Sequence, residues 1–231
     1  MLTHVRVPAA DVDLATDALW QAGATAIEER TNADGSVTLV ADAAPTAPHP
    51  AWRVDTLEDV DLAVVDTWRA HAEAVRAGEH FVIQPPWVAR PVGLGRDDVV
   101  LEIDPGRAFG SGSHPTTRLV LAALEHLVSP GSAVLDVGCG SGVVAIGAAT
   151  LGASPVVAID VDEEALAVTR ANASRNQVEH AVTVADTPVG AVDGSFDIVL
   201  ANIGLVTITE LAPAIAARAP IVVLSGLLAD R

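Results

Sequence analysis

Residues Val134 to Asp162 read VLDVGCGSGVVAIGAATLGASPVVAIDVD. The stretch predicts a strand, a glycine-rich turn, a helix and a second strand that ends in acid. Val134 to Val137 is a short apolar run. Gly138, Gly140 and Gly142 give backbone that can turn tightly and let a ligand approach, and the apolar residues from Val143 to Leu151 propagate a helix that Gly152 closes. Pro155 to Ile159 reads as the next buried strand, with Asp160 at its carboxyl end. Ligands of open parallel sheets bind outside the carboxyl ends of the strands, where an acid can accept from a ribose hydroxyl pair. Asp136, the three glycines and Asp160 therefore predict a nucleoside-cofactor site.

The glycine spacing selects the cofactor class. A dinucleotide fingerprint runs G-x-G-x-x-G, and its third glycine would fall at Val143. The pattern here is G-x-G-x-G, with an acid eighteen positions beyond Gly142. That variant is the usual form in S-adenosylmethionine-dependent methyltransferases, so S-adenosyl-L-methionine is the expected cofactor and a dehydrogenase is disfavoured.

A chain of 231 residues holds one large domain, or a main domain with a small one. Its apolar half is dominated by Ala, Val, Leu and Ile, which suits buried parallel strands. Thirty acidic residues against thirteen basic ones give a net charge of −17, and every basic residue apart from histidine is arginine. Such a surface repels phosphate backbones and attracts a basic protein, so no direct nucleic-acid partner is expected; acidity also serves solubility alone. Cys139 is the only cysteine. It excludes an internal disulfide and, with no second Cys or His placed beside it, reads as a small residue packed under the turn, so no metal is expected. The start, MLTHVRVPAADVD, has neither a basic opening nor an apolar core, and no apolar run approaches about 18 residues, so a cytoplasmic protein without a membrane partner is expected.

Before this stretch the patterns change twice. Thr3 to Val7 predicts a strand and Asp11 to Ala22 a helix capped by Asp11 and closed by Gly23. Ala24 to Arg30, Ser36 to Val40 and Trp52 to Thr56 predict three more strands, with a turn at Asn32–Gly35 and a proline-bearing loop over 43–50. Asp61 to Ala77 has a helical pattern. The expected organisation is a small α+β module over 1–66, a linker helix over 67–79 and a cofactor domain over 80–231. Phe81 to Gln84 and Val99 to Ile103 predict strands around Pro85-Pro86-Trp87.

These strands lead into DPGRAFGSGSHPTT, Asp104 to Thr117, and then into an apolar helix ending near Leu127. The unpaired N–H groups of a helix start, with the Thr116 and Thr117 hydroxyls, suit the carboxylate of an amino acid moiety. Phe109 either covers the cofactor and faces its sulfonium or anchors the loop in the core. His114 reads as a cap or a hydrogen-bonded structural group in preference to a catalyst. Beyond the opening stretch, Glu163 to Asn176 predicts a helix and Val182 to Ala185 a third strand. Asp186 at its end either accepts from the adenine amine or forms a turn before Pro188. Phe196 to Ala201 predicts a fourth strand that delivers Asn202, and Ile221 to Ser225 a fifth. Asn202 can accept from an incoming amine and aim its lone pair at a methyl group, which is catalysis by positioning.

Taken together, the loop from Asp104 to Thr117, the turn from Asp136 to Gly142, Ile159 to Asp162 and Ala201 to Ile203 resemble the bacterial methyltransferases that modify ribosomal protein L11 (PrmA). The resemblance runs from about Trp68 to Gly226, and the loop is far more specific than the turn. It implies an α/β fold, a doubly wound, mostly parallel Rossmann-like sheet of order 3-2-1-4-5, with a small α+β amino-terminal domain that docks the substrate. It places cofactor contacts on Thr117, Gly138, Asp160 and Asn202. It also implies N-methylation of lysine ε-amines or an α-amine on a basic ribosomal protein. Two departures accompany it. The amino-terminal module is short, and the chain stops after the fifth strand, where this fold continues through a helix and a hairpin. A truncated form, an edge covered by a second copy through self-association, and an incomplete chain all fit the second departure. A lysine methyltransferase with another protein target and a catalytically dead cofactor-binding protein stand as alternatives.

Overall fold

The computed structural model describes residues 2–24, 27–32, 34–41, 43–57, 72–106 and 112–226. The chain divides into two compact units, residues 1–71 with 230–231, and residues 72–229.

The first unit contains β1 (Leu2–Val7), α1 (Val12–Gln21), β2 (Ile27–Thr31), β3 (Val37–Ala41) and β4 (Arg53–Leu57). The strands form an antiparallel sheet in the order β2-β3-β1-β4. Strand alternation sends Val5, Val7 and Leu39 into one core with Ala15 and Leu19 of α1. Asp11 is the residue before α1, as expected, but makes no capping bond. Its Oδ2 instead accepts from Trp52 Nε1 at 3.1 Å. Trp52, only 9% exposed, thereby closes the core at the end of the proline-bearing loop. Of the helix expected over 61–77, residues 61–71 lie outside the described ones, as do 67–71 of the linker helix. The remainder is corrected: Val75–Ala77 is a strand, β5. Ala77 is buried and Arg76 exposed, the two-residue alternation of a strand, and Gly78 at φ 67° turns the chain immediately after it.

The second unit continues from β5 with β6 (Phe81–Gln84), β7 (Val99–Glu102), α2 (Pro115–Leu127), β8 (Val134–Val137), α3 (Val143–Thr150), β9 (Val156–Ile159), α4 (Glu163–Arg175), β10 (Val182–Ala185), β11 (Ile198–Asn202), α5 (Leu205–Ala216) and β12 (Ile221–Ser225). Five of these strands form a parallel sheet in the order β10-β9-β8-β11-β12, and β5-β6-β7 form a separate three-stranded one. Each face of the parallel sheet has its own core. Val134, Val156, Ala158, Ile198 and Leu200 pack with α2, α3 and α4, whereas Leu135, Val137, Ile159, Val199 and Ala201 pack on the side of α5. α5 is not among the predicted elements; Pro213 lies inside it, yet Leu211 and Ile215 pack it against the sheet. β12 lies at the sheet's edge, with Ile221 and Leu224 each 39% exposed. No described helix is long and apolar enough to cross a membrane.

The β5–β6 turn is pinned from α2. Glu125 accepts from the N–H groups of Glu79, His80 and Phe81 at 2.8, 2.8 and 3.2 Å. A Cβ on Gly78 would lie 2.6 Å from that carboxylate, so glycine is required there by space and by φ together.

Candidate active site

The glycine turn is stitched to the end of β9. Gly138 and Cys139 both donate to the Ile159 carbonyl, at 2.9 and 3.0 Å, and Gly140 N–H donates to Asp160 Oδ2 at 2.9 Å. All three glycines have positive φ: 74° at Gly138, 53° at Gly140 and 79° at Gly142. A Cβ on Gly138 would overlap Ile203, and one on Gly142 would lie 2.7 Å from Thr169 Cγ2. Packing and backbone conformation thus each require glycine at these two positions. Thr169 also donates to the Gly140 carbonyl at 2.9 Å and sits 3.4 Å from Cys139 Sγ. Burial pushes the Cys139 thiol far up, so it remains a neutral packing group under the turn.

Asp136, expected as a cofactor contact, has a structural role of its own. It shares the face of Val134, beneath α3, is 2% exposed, and its Oδ2 accepts from Ala145 N–H at 3.1 Å. It therefore holds the start of α3 through Oδ2. Burial pushes its carboxyl up to about 7; the Ala145 N–H works against this and the Asp160 charge adds to it. Asp160 is partly exposed, with Oδ1 accepting from Asp162 N–H at 3.1 Å. Next to it, Val161 is 98% exposed. That exposed apolar residue beside Asp160 escaped the sequence reading, although an apolar residue between two acids just before a helix start was the available signal. Asp186 is exposed and lines a cavity of about 340 Å³ with Glu163, Leu166 and Arg170.

On the other side, α2 begins beneath the ends of β11 and β12. His114 is its cap: Nδ1 accepts from Thr116 N–H at 3.3 Å and lies 2.7 Å from Thr116 Oγ1. The Thr116 amide and hydroxyl, expected to face a cofactor carboxylate, are thus engaged by the cap. Thr117, 1% exposed, meets Asn202: Asn202 Nδ2 donates to Thr117 Oγ1 at 3.2 Å. Ser225 Oγ donates to the Thr116 carbonyl at 3.4 Å, and Gly226, at φ 84°, has its missing Cβ 2.5 Å from the Ile203 carbonyl. Phe109 lies outside the described residues. Among the described residues no cluster of three His, Cys, Asp or Glu side chains could hold a metal ion.

A parallel sheet with a left-handed glycine turn after its first strand and an acid ending the next is the architecture of a Rossmann-like methyltransferase domain. The model of the ribosomal protein L11 methyltransferase (PrmA) family matches residues 5–231, a longer span than the resemblance from 68 to 226, and the chain belongs to that family. It is 44% identical over 188 residues to the ribosomal protein L11 methyltransferase of Geobacter sulfurreducens, covering 80% of this chain and 60% of that protein. It is also 44% identical over 167 residues to that of Ralstonia pickettii, covering 72% of this chain and 53% of the relative. The chain therefore spans less than two thirds of the length of these relatives. The crystal structure of a ribosomal protein L11 methylase from Lactobacillus delbrueckii subsp. bulgaricus has a TM-score of 0.58 and 34% identity, over 64% of this chain and 75% of that one.

Proposed function

We propose that this chain is an S-adenosylmethionine-dependent protein N-methyltransferase that modifies a lysine ε-amine or an α-amine of a ribosomal protein. Residues 80–231 would hold the cofactor, and residues 1–66 would recognise the substrate. The observation that carries the reading is the Asn202–Thr117 bond at the strand ends. With Nδ2 on the threonine, Asn202 Oδ1 is left as an acceptor at the carboxyl end of β11, the strand beside β8 and its glycine turn.

The residues fit the cofactor. Asp160 can accept from a ribose hydroxyl pair while still holding Gly140, and exposed Val161 can cover an adenine face. Asp186 is suited to the exocyclic amine, and Thr117 and Gly138 to the methionine end. Bound S-adenosylmethionine supplies an electrophilic methyl on its sulfonium. The chain's contribution is positional: Asn202 Oδ1 accepts from a neutral amine and aims its lone pair, and the proton then leaves to water. In well-oriented intramolecular reactions, alignment of this kind contributes up to about 7–11 kcal/mol.

Incubation with methyl-labelled cofactor and a ribosomal extract tests the reading. Label on one small basic ribosomal protein is the expected result. Cofactor binding without label on any protein would indicate a catalytically dead member of the family and overturn the proposal.

A further inference from the structure

Asn172 on α4 and Asn176, the residue that closes this helix, sit one helical turn apart and face the open edge of β7. Asn176 Oδ1 accepts from Glu102 N–H at 2.9 Å, and its Nδ2 donates to the Glu102 carbonyl at 2.8 Å. Asn172 repeats the arrangement one step along the strand, accepting from Asp104 N–H at 3.0 Å and donating to the Asp104 carbonyl at 2.8 Å. The spacings match for a physical reason. One α-helical turn advances about 5.4 Å and two strand residues about 6.6 Å, so a pair four apart on a helix can meet outward groups two apart on a strand. The two carboxamides thus stand in for a neighbouring strand.

Asn172 does one thing more. Its second Nδ2 hydrogen donates to the Ser141 carbonyl, inside the glycine turn, at 3.0 Å. The side chain is 1% exposed, and its orientation is set by its partners, because one N–H needs the oxygen and two carbonyls need the nitrogen. The Asp104 end is firmly seated too: Gly106 N–H donates to Asp104 Oδ1 at 3.0 Å, and a Cβ on Gly106 would come within 3.1 Å of Val168 Cγ2.

We infer that Asn172 is a positioning residue that sets the register between the cofactor-holding glycine turn and the root of the segment leading to α2, whereas Asn176, whose Nδ2 also donates to the Asn172 carbonyl at 2.8 Å, anchors β7 and makes no bond to the turn. This rests on the cofactor site proposed above. Occupying the turn should then tighten the Asp104 end through Asn172.

Amide hydrogen exchange of the unmodified chain, with and without S-adenosylhomocysteine, tests the link directly. Exchange of the Asp104 amide should slow by about fivefold or more on binding, in the range of ordinary coupling energies, and the Glu102 amide by clearly less. Binding that leaves Asp104 exchange unchanged would refute the link while sparing the cofactor site; failure to bind would overturn both. Two variants give a second test. Asn172→Asp keeps the acceptor and loses both donations, and should weaken S-adenosylhomocysteine binding about tenfold. Asn176→Asp should lower the melting temperature to a similar extent with the dissociation constant within about threefold of the parent. Equal weakening by both variants, or by neither, would refute the division of roles; should Asn172→Asp fail to fold, the exchange experiment decides.

Discussion

Asp136→Asn is predicted to abolish a pH dependence of stability that the parent chain must show. The carboxyl moves from 3.8 to about 7 through burial in the folded chain, a displacement of about three pKa units. At ~1.4 kcal/mol per unit, ionised Asp136 costs the fold about 4 kcal/mol, undiminished by solvent because the residue is 2% exposed. A raised acid favours the protonated fold. Its contribution is complete below the unfolded pKa of about 4, declines as pH rises, and is gone above the folded value near 7. Asparagine keeps an oxygen for the Ala145 N–H and does not titrate. Urea unfolding of both chains at pH 5, 6, 7 and 8, without cofactor, isolates the effect, since titrating groups not coupled to Asp136 cancel in the difference. The variant should gain about 3 kcal/mol on the parent between pH 5 and pH 8. Difference curves that run level across this range would refute the assignment of Asp136 as a buried, unpaired carboxyl.

Gly138→Ala should lose about 2–4 kcal/mol, from the left-handed φ of 74° and the overlap with Ile203, and a melting curve measures it. Asp160→Ala should abolish cofactor binding in calorimetry, because the ribose acceptor and the anchor of Gly140 N–H disappear together. Asn202→Ala should bind cofactor within about threefold of the parent but turn over about a hundredfold more slowly; equal loss of binding in these two variants would contradict separate roles. Burial alone would raise Glu125, but its three backbone N–H partners outweigh this and lower it. Glu125→Gln should therefore cost about 1–2 kcal/mol at pH 7, a difference that narrows as acid protonates the carboxylate, as acid titration of the unfolding midpoint would report.

The strands and helices of the second unit were legible because their signals are local. Short apolar runs ended by glycine or acid name β8, β9, β10 and β12, and a proline-led apolar stretch names α2. α5 was not, because Pro213 interrupts its pattern and its apolar residues read equally as strand. Val75–Ala77 was misread for the opposite reason: three residues cannot display a period, and the pairing with β6 that decides them is not local. In the site, the glycines and Asp160 were visible as types at a spacing. The destinations of side chains were not. Asp136 turns under α3 because it shares the parity of Val134, and Asp11 bonds a tryptophan forty-one residues away. Asn172 and Asn176 looked like ordinary members of a solvated helix until β7 lay beside them.

The choice of asparagine at the two bridging positions follows from the charge already there. Asp136 and Asp160 are close enough for the charge of one to raise the carboxyl of the other. A further carboxylate near the turn would push Asp136 higher still, and a cation would draw Asp160 away from Gly140 N–H. A carboxamide offers both a donor and an acceptor on a short stem and adds no charge. Asn172 uses it to join the turn to Asp104, and Asn202 to join β11 to α2 through Thr117. Among the described residues, neutral bridges leave Asp160 as a partly exposed carboxylate bound to the glycine turn, so a residue that fixes the turn's geometry also supplies negative charge beside it.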